Sequence, residues 1–305
     1  MKPSKTRVGL VGLGQMGQAM ARRLLLQGHD LLVFNRTPGP AQNLATLGAK
    51  VAPDLRHLAS HVDQIFTVVS DTSDVEEVVL GPQGLLMGAN EGTLFIECST
   101  IDPHASQLIS ERVRKAGSQM IDAPIGGRPE QALQGQLIFM VGAYTADLEQ
   151  ARPTLNDLSQ KIIHCGDPGM GISMKVINNL LSQSIQLMDL EALALGIKAG
   201  LQPKVMLEVL TSTAADNAPL RGRIPNSVLT GQYPPGFSAR LAHKDQGLAH
   251  VMAARLGVPL FSLSQARQIY SIAMSMGLDN GPSEIVAKVI EQFSQIHFDA
   301  SKHVK

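Results

Sequence analysis

Short apolar runs recur along the first half of the chain, separated by stretches whose apolar residues return at helical spacing. The runs "RVGLVGLG", "DLLVFNR", "QIFTVVS", "GTLFIECS", "SQMIDAPI", "LIFMVGA" and "KIIHCG" have strand length. Several are apolar at successive positions, as in strands of a sheet covered on both faces. Between them, "GQAMARRLLLQGH", "PHASQLISERVRKAG" and "TADLEQARPTLNDLS" read as amphipathic helices. Such alternation predicts a doubly wound, mostly parallel sheet. After about residue 167 the strand-like runs stop. A long helical run from Met170 to Ala199 follows, then "PKVMLEVLTST", "SARLAHKDQGLAHVMAARLG", "FSLSQARQIYSIAMSMG" and "PSEIVAKVIEQFSQ", punctuated by "GLQP", "YPPGF" and "GVP". The expected architecture is an α/β domain over 1–167 and an all-α domain over 168–305, joined by the long helix.

Composition narrows the function classes. With 305 residues the chain can build two domains and a substantial core. Its formal net charge is zero, which removes the electrostatic reason to expect nucleic acid or an anionic membrane as a partner. No segment has the length and apolarity to span a bilayer, and "MKPSKTRVGLVGLG" lacks the pattern of a secretory signal. A soluble cytoplasmic protein is the expectation. The two cysteines, Cys98 and Cys165, form no CxxC pair, and neither HExxH nor a His/Cys cluster occurs. No metal site is therefore expected, and both cysteines read as small core residues at strand ends.

The first candidate chemistry lies in "VGLVGLGQMGQAMARRLL". Gly12-x-Gly14-x-x-Gly17 directly follows a strand and opens a helix. Glycines there allow a tight turn and close backbone approach, so that a helix N-terminus can meet a pyrophosphate. Gly12, Leu13, Gly14, Gln15, Met16 and Gly17 are thus candidate cofactor-binding residues in a Rossmann domain. The second strand ends "VFNRT", placing Asn35, Arg36 and Thr37 where an NAD-preferring domain usually carries Asp or Glu for the ribose hydroxyls. A neutral residue, a guanidinium and a hydroxyl favour NADP over NAD, with NAD still possible. A solvated loop arginine is the plain alternative for Arg36.

The second candidate is "GMGISMKVINNLL". On a helix, Lys175, Asn178, Asn179 and Ser182 fall at i, i+3, i+4 and i+7 and share a face, while Met174, Val176, Ile177, Leu180 and Leu181 fill much of the rest. A polar stripe on so apolar a helix faces either water or a cavity that needs it.

Five motifs in order, "GLGQMGQAMA", "ECSTIDP", "DAPIGG", "GMGISMKVINN" and "PPGFSARLAHKD", make the chain resemble the β-hydroxyacid dehydrogenases over nearly its whole length. The resemblance implies that Lys175 is catalytic and that Asn178 and Asn179 lie beside the substrate. It also implies that Thr100 and Lys244 contact the nicotinamide end of the cofactor. The chemistry agrees. Hydride arriving at a carbonyl carbon leaves charge on the oxygen, which an ammonium can protonate or stabilise. Burial lowers a lysine's pKa toward the range useful for reversible proton transfer. On this reading the polar stripe faces a nicotinamide cleft between the two domains. The chain departs from the family pattern after "DAP": Gly126 stands where a substrate-binding serine is usual, followed by Gly127 and Arg128. Together with the "GMGI…K…INN" and "LAHKD" wording, that loop resembles the sulfolactaldehyde reductases more than the 3-hydroxyisobutyrate dehydrogenases, with the arginine displaced by one residue from theirs. Gly126, Gly127 and Arg128 are then candidates for the substrate's acidic group.

The expected activity is NAD(P)-dependent interconversion of a small anionic 3-hydroxy acid or sulfonate and its semialdehyde or keto form. Two other readings are imine reduction, against which Lys175 argues, and a scaffold that binds cofactor without turnover. The resemblance further implies a homodimer or homotetramer. His243 reads as a packing or surface histidine rather than one lining the cleft, and Arg221 and Arg223 as a solvated loop pair, with contact to a substrate anion as the alternative.

Overall fold

The computed structural model describes residues 6–299. The chain divides into two compact units, Met1–Lys175 and Val176–Lys305.

In the first unit, strands β1 (Arg7–Val11), β2 (Asp30–Phe34), β3 (Lys50–Val51), β4 (Gln64–Thr67), β5 (Leu94–Glu97) and β6 (Gln119–Asp122) pair in parallel, in the order β3-β2-β1-β4-β5-β6. Beyond β6 the direction reverses. Strand β8 (Leu137–Gly142) runs antiparallel to both β6 and the short β7 (Ile125–Gly126), while β9 (Ser159–Gly166) is parallel to β8. The expected strand runs all lie in this sheet. The helices are α1 (Gln15–Leu26), α2 (Pro38–Ala45), α3 (Leu55–Ser60), α4 (Thr72–Leu80), α5 (Pro103–Lys115), α6 (Pro129–Leu133) and α7 (Thr145–Leu158).

Side-chain alternation divides the strands between two cores. Val8, Leu10, Leu31, Val33, Phe66, Leu94, Ile96 and Ile121 meet Ala19, Met20 and Leu24 of α1 and Leu148, Ala151 and Leu155 of α7. Their neighbours Val11, Leu32, Ile65, Phe95 and Met120 meet Leu58 of α3, Val75 and Val79 of α4, and Ile109 and Val113 of α5. Both faces are covered, which is why the central positions of the strands are apolar in succession. Cys98 is buried just beyond β5, and Cys165 is half-buried in β9.

Helix α8 (Met170–Lys198) begins in the first unit and continues into the second. The second unit is helical among the described residues: α9 (Pro203–Thr211), α10 (Ala218–Arg221), α11 (Arg223–Asn226), α12 (Ala239–Leu256), α13 (Ser264–Ser275) and α14 (Ala287–Ser294), with short 3-10 turns. Leu187, Leu190 and Leu193 of α8, Ala239 and Ala242 of α12, Tyr270 of α13 and Val289 of α14 share its main core. No described helix is long and apolar enough to cross a membrane.

Candidate functional site

The sheet order changes direction between β1 and β4, and the glycine loop leaves β1 at that point. Each glycine of the loop has a different reason to be there. Gly12 has φ +92°, and a Cβ on it would run into the Val68 carbonyl just beyond β4. A Cβ on Gly17 would strike the Gly12 carbonyl. Gly14 differs: a Cβ there meets no protein atom within 4 Å. The space beside Gly14 is a cradle the protein does not itself fill. No side chain caps α1, and its first turn carries no acidic residue. Its leading N–H groups and positive dipole end suit a pyrophosphate, so these residues fit a dinucleotide.

Asn35 braces this loop. Its Oδ1 accepts the Leu13 N–H at 2.8 Å, and its Nδ2 donates to the Thr37 carbonyl and hydroxyl at 2.9 and 2.8 Å. The Thr37 carbonyl needs a donor and the Leu13 N–H an acceptor, so an amide serves both, whereas a carboxylate would lose the bond to the Thr37 carbonyl. The Arg36 side chain is 88% exposed, with its guanidinium 3.8 Å from the Asp74 carboxylate. Thr100 lies half-buried between β5 and α5.

The "DAPIGG" segment runs from the end of β6 through β7. Gly127 has φ +136°, which excludes ordinary side chains, and a Cβ there would sit 2.9 Å from Leu137 Cδ2. A Cβ on Gly126 would meet nothing closer than 3.6 Å. Arg128 is extended and exposed at the N-cap of α6, its N–H donating to Gln131 Oε1 at 2.9 Å. Lys175 is half-buried, and its Nζ donates to the Ile125 carbonyl at 2.7 Å. The structure therefore brings Lys175 to the strand that leads into Gly126 and Gly127.

Two buried acids stand at the head of this segment, Asp122 within it and Glu97 on the neighbouring strand, neither singled out in the sequence. Glu97 and Asp122 are in register on adjacent strands. The Glu97 carboxylate accepts the Ser99 N–H at 2.6 Å and the Thr67 hydroxyl. Burial lifts its pKa to about 7, against those hydrogen bonds and helped by the Asp122 charge. Asp122 accepts the N–H groups of Gly169 at 2.6 Å and Ile172 at 2.7 Å. Its pKa is lifted to about 6, chiefly by burial. Their sequence signal was only a carboxylate closing an apolar strand.

In the second unit, buried Asn179 donates from Nδ2 to Asp245 Oδ2 at 2.6 Å, and Asn178 donates to Asn179 Oδ1 at 3.2 Å. Because a carboxylate only accepts, Asp245 fixes which way the Asn179 amide points. Lys244 Nζ lies 3.1 Å from the other Asp245 oxygen. Asp245, fully buried on α12, is the residue the sequence reading passed over here. His243 is a packing residue bonded to Ser271, its pKa lowered by burial and by Arg267. The solvated pair expected at Arg221 and Arg223 is corrected: Arg221 binds Asp216, but half-buried Arg223 bonds Gln186 and Ser283, because α10 and α11 turn it into the helical core. Among the described residues no group of three or more His, Cys, Asp or Glu could hold a metal ion.

The mostly parallel sheet, the glycine loop and the cradle beside Gly14 define a dinucleotide-binding domain of the Rossmann class. Two family models match the chain: the NAD binding domain of 6-phosphogluconate dehydrogenase over residues 7–166, and the NAD-binding domain of NADP-dependent 3-hydroxyisobutyrate dehydrogenase over 169–289. The chain is 32% identical to 2-(hydroxymethyl)glutarate dehydrogenase of Eubacterium barkeri, covering 95% of this chain and 96% of the relative. It is 34% identical to 3-sulfolactaldehyde reductase of Escherichia coli, over 88% and 91% of the two chains. The solved structure of Mycobacterium tuberculosis 3-hydroxyisobutyrate dehydrogenase with L-serine superposes with a TM-score of 0.87 at 29% identity, covering 94% of this chain and 99% of that one. The chain belongs to the β-hydroxyacid dehydrogenase family, as an NAD(P)-dependent hydroxyacid dehydrogenase.

Proposed function

We propose that this dehydrogenase interconverts a small anionic 3-hydroxy acid, or the corresponding hydroxy sulfonate, with its semialdehyde or keto form. Lys175 acts as proton donor in reduction and acceptor in oxidation. The carrying observation is the Lys175 ammonium held 2.7 Å from the Ile125 carbonyl, at the head of the Gly126–Gly127 turn. When bound, the reduced nicotinamide supplies hydride to the carbonyl carbon. Lys175 gives its proton to the carbonyl oxygen as charge develops there, and takes it back in the reverse direction.

Backbone N–H groups of Gly126 and Gly127 receive the acidic group, since glycines allow an anion close to the main chain. Gly126, where the family commonly carries serine, brings no hydroxyl to that headgroup, so the backbone N–H groups of the turn can take a carboxylate or a sulfonate alike. Arg128, exposed next to that turn, supplies charge to either headgroup. Asn178 and Asn179 hold the substrate from α8, and Thr100 and Lys244 serve the nicotinamide end. Residues 1–167 form the cofactor-binding domain, and 168–305 carry the substrate and subunit contacts. Asn35, Arg36 and Thr37 favour NADP(H). The chain assembles as a homodimer or homotetramer: Leu181, Met188 and Leu195 stand seven residues apart on α8 and are 49%, 48% and 74% exposed.

A screen of small semialdehydes and hydroxy acids, carboxylated and sulfonated, with both cofactors tests this reading. Anionic semialdehydes with NADPH are expected to give the highest kcat/KM. Lys175→Ala should lower kcat by roughly 100- to 10,000-fold with cofactor affinity unchanged. Near-normal kcat in that variant would end the assignment.

A further inference from the structure

Lys175 stands on the second turn of α8, so its place depends on how that helix starts. Three features hold the start. The buried Asp122 carboxylate accepts the Gly169 N–H at 2.6 Å and the Ile172 N–H at 2.7 Å, two donors that the first turn of a helix leaves without partners of its own. The acid also opposes the positive end of the helix dipole. Gly171 and Gly142 are pressed together: a Cβ on Gly171 would lie 2.5 Å from the Gly142 nitrogen and would strike the Met140 carbonyl. A Cβ on Gly142 would lie 2.5 Å from Asp122 Oδ1. The carboxylate thus has a fixed seat and the helix a fixed distance from it. Three residues after Asp122, the same segment presents the Ile125 carbonyl to Lys175 Nζ.

We propose that Asp122 is a positioning residue for Lys175: by seating the first turn of α8 on the end of β6 it fixes where the ammonium stands relative to the Gly126–Gly127 turn. This rests on the reading of Lys175 as the proton donor. One stretch, residues 122–127, then sets both the base of the lysine and the loop that receives the substrate's acidic group. A helix transmits a shift of its first turn to the next almost undiminished. Displacing a reacting group by about 1 Å costs roughly 100-fold in rate.

Asp122→Asn keeps the shape but replaces one acceptor oxygen with an NH2 that faces a backbone N–H. The expected result is a folded enzyme whose kcat falls about tenfold or more while KM for the cofactor stays within about threefold. The deuterium isotope effect from 4-deuterated NAD(P)H should rise, because the chemical step has slowed; loss of stability alone would not move it. Lys175→Ala is assayed alongside, its residual rate measured with added methylamine as external acid. On that background Asp122→Asn should cost nothing further. A folded Asp122→Asn enzyme with wild-type kcat and isotope effect, or losses that multiply with Lys175→Ala, overturns the inference while leaving the lysine's role intact. Near-normal turnover of Lys175→Ala overturns both. If the Asn variant does not fold, Asp122→Ser, with one acceptor oxygen, is read by the same measurements.

Discussion

Asn35 and Arg36 are adjacent yet do opposite things. Asn35 is spent on the protein, its amide joining the Leu13 N–H to Thr37. Arg36 extends into solvent with a single long approach to Asp74. If Arg36 holds the 2′-phosphate of NADP, Arg36→Ala should lower kcat/KM for NADPH about tenfold and leave NADH nearly unchanged, since a charge-assisted bond to phosphate contributes about 1.5–3 kcal/mol. Equal losses with the two cofactors would mean that the guanidinium does not read the phosphate. The motif Gly12-x-Gly14-x-x-Gly17 was plain in the sequence, but the separate reason for each glycine was not. Gly12 and Gly17 are demanded by carbonyls of the fold, whereas Gly14 faces no protein atom. The roles of Asp122 and Asp245 were also hidden, because their hydrogen bonds reach 47 to 66 residues along the chain.

At the level of elements, apolar runs bounded by turns identified the strands because both faces of the sheet are covered. The reversal at β8 left no such trace. A single register pair, Asp122 with Gly142, turns the sheet antiparallel there, and a buried strand reads alike in either direction. On α8 the polar residues found partners: Asn179 with Asp245, Lys175 with Ile125. Apolar positions of the same helix meet solvent in this single chain, at Leu181, Met188 and Leu195. A second copy that covers that stripe would be lost with Leu195→Asp. Light scattering should then give a lower molar mass than the wild type, with the helical circular dichroism retained. An unchanged mass would place any subunit contact elsewhere.

For the whole molecule, the buried acids set a pH dependence. Glu97 and Asp122 keep their protons to about pH 7 and 6 in the fold, whereas unfolded carboxyls ionise near 4. Between those values the native state holds more protons than the unfolded one, so stability should fall as pH rises from about 4.5 to 7.5. The change attributable to Glu97 is on the order of 1 to 3 kcal/mol. Gln at position 97 resembles the protonated acid, so Glu97→Gln should flatten the curve and leave the variant the more stable form above pH 7. Denaturant melts across that range check it; parallel curves for the two proteins would refute it. The strand order carries a different consequence, for the moment of synthesis. β1 is the earliest described strand, yet it lies inside the sheet, and its partner β4 starts 56 residues after Val8, at Gln64. Until β4 leaves the ribosome, one side of an apolar strand presents unpaired amides and carbonyls to anything nearby. Slow translation across residues 35–64 would lengthen that exposure, and an aggregate formed then would grow from the same strand that later carries the dinucleotide loop.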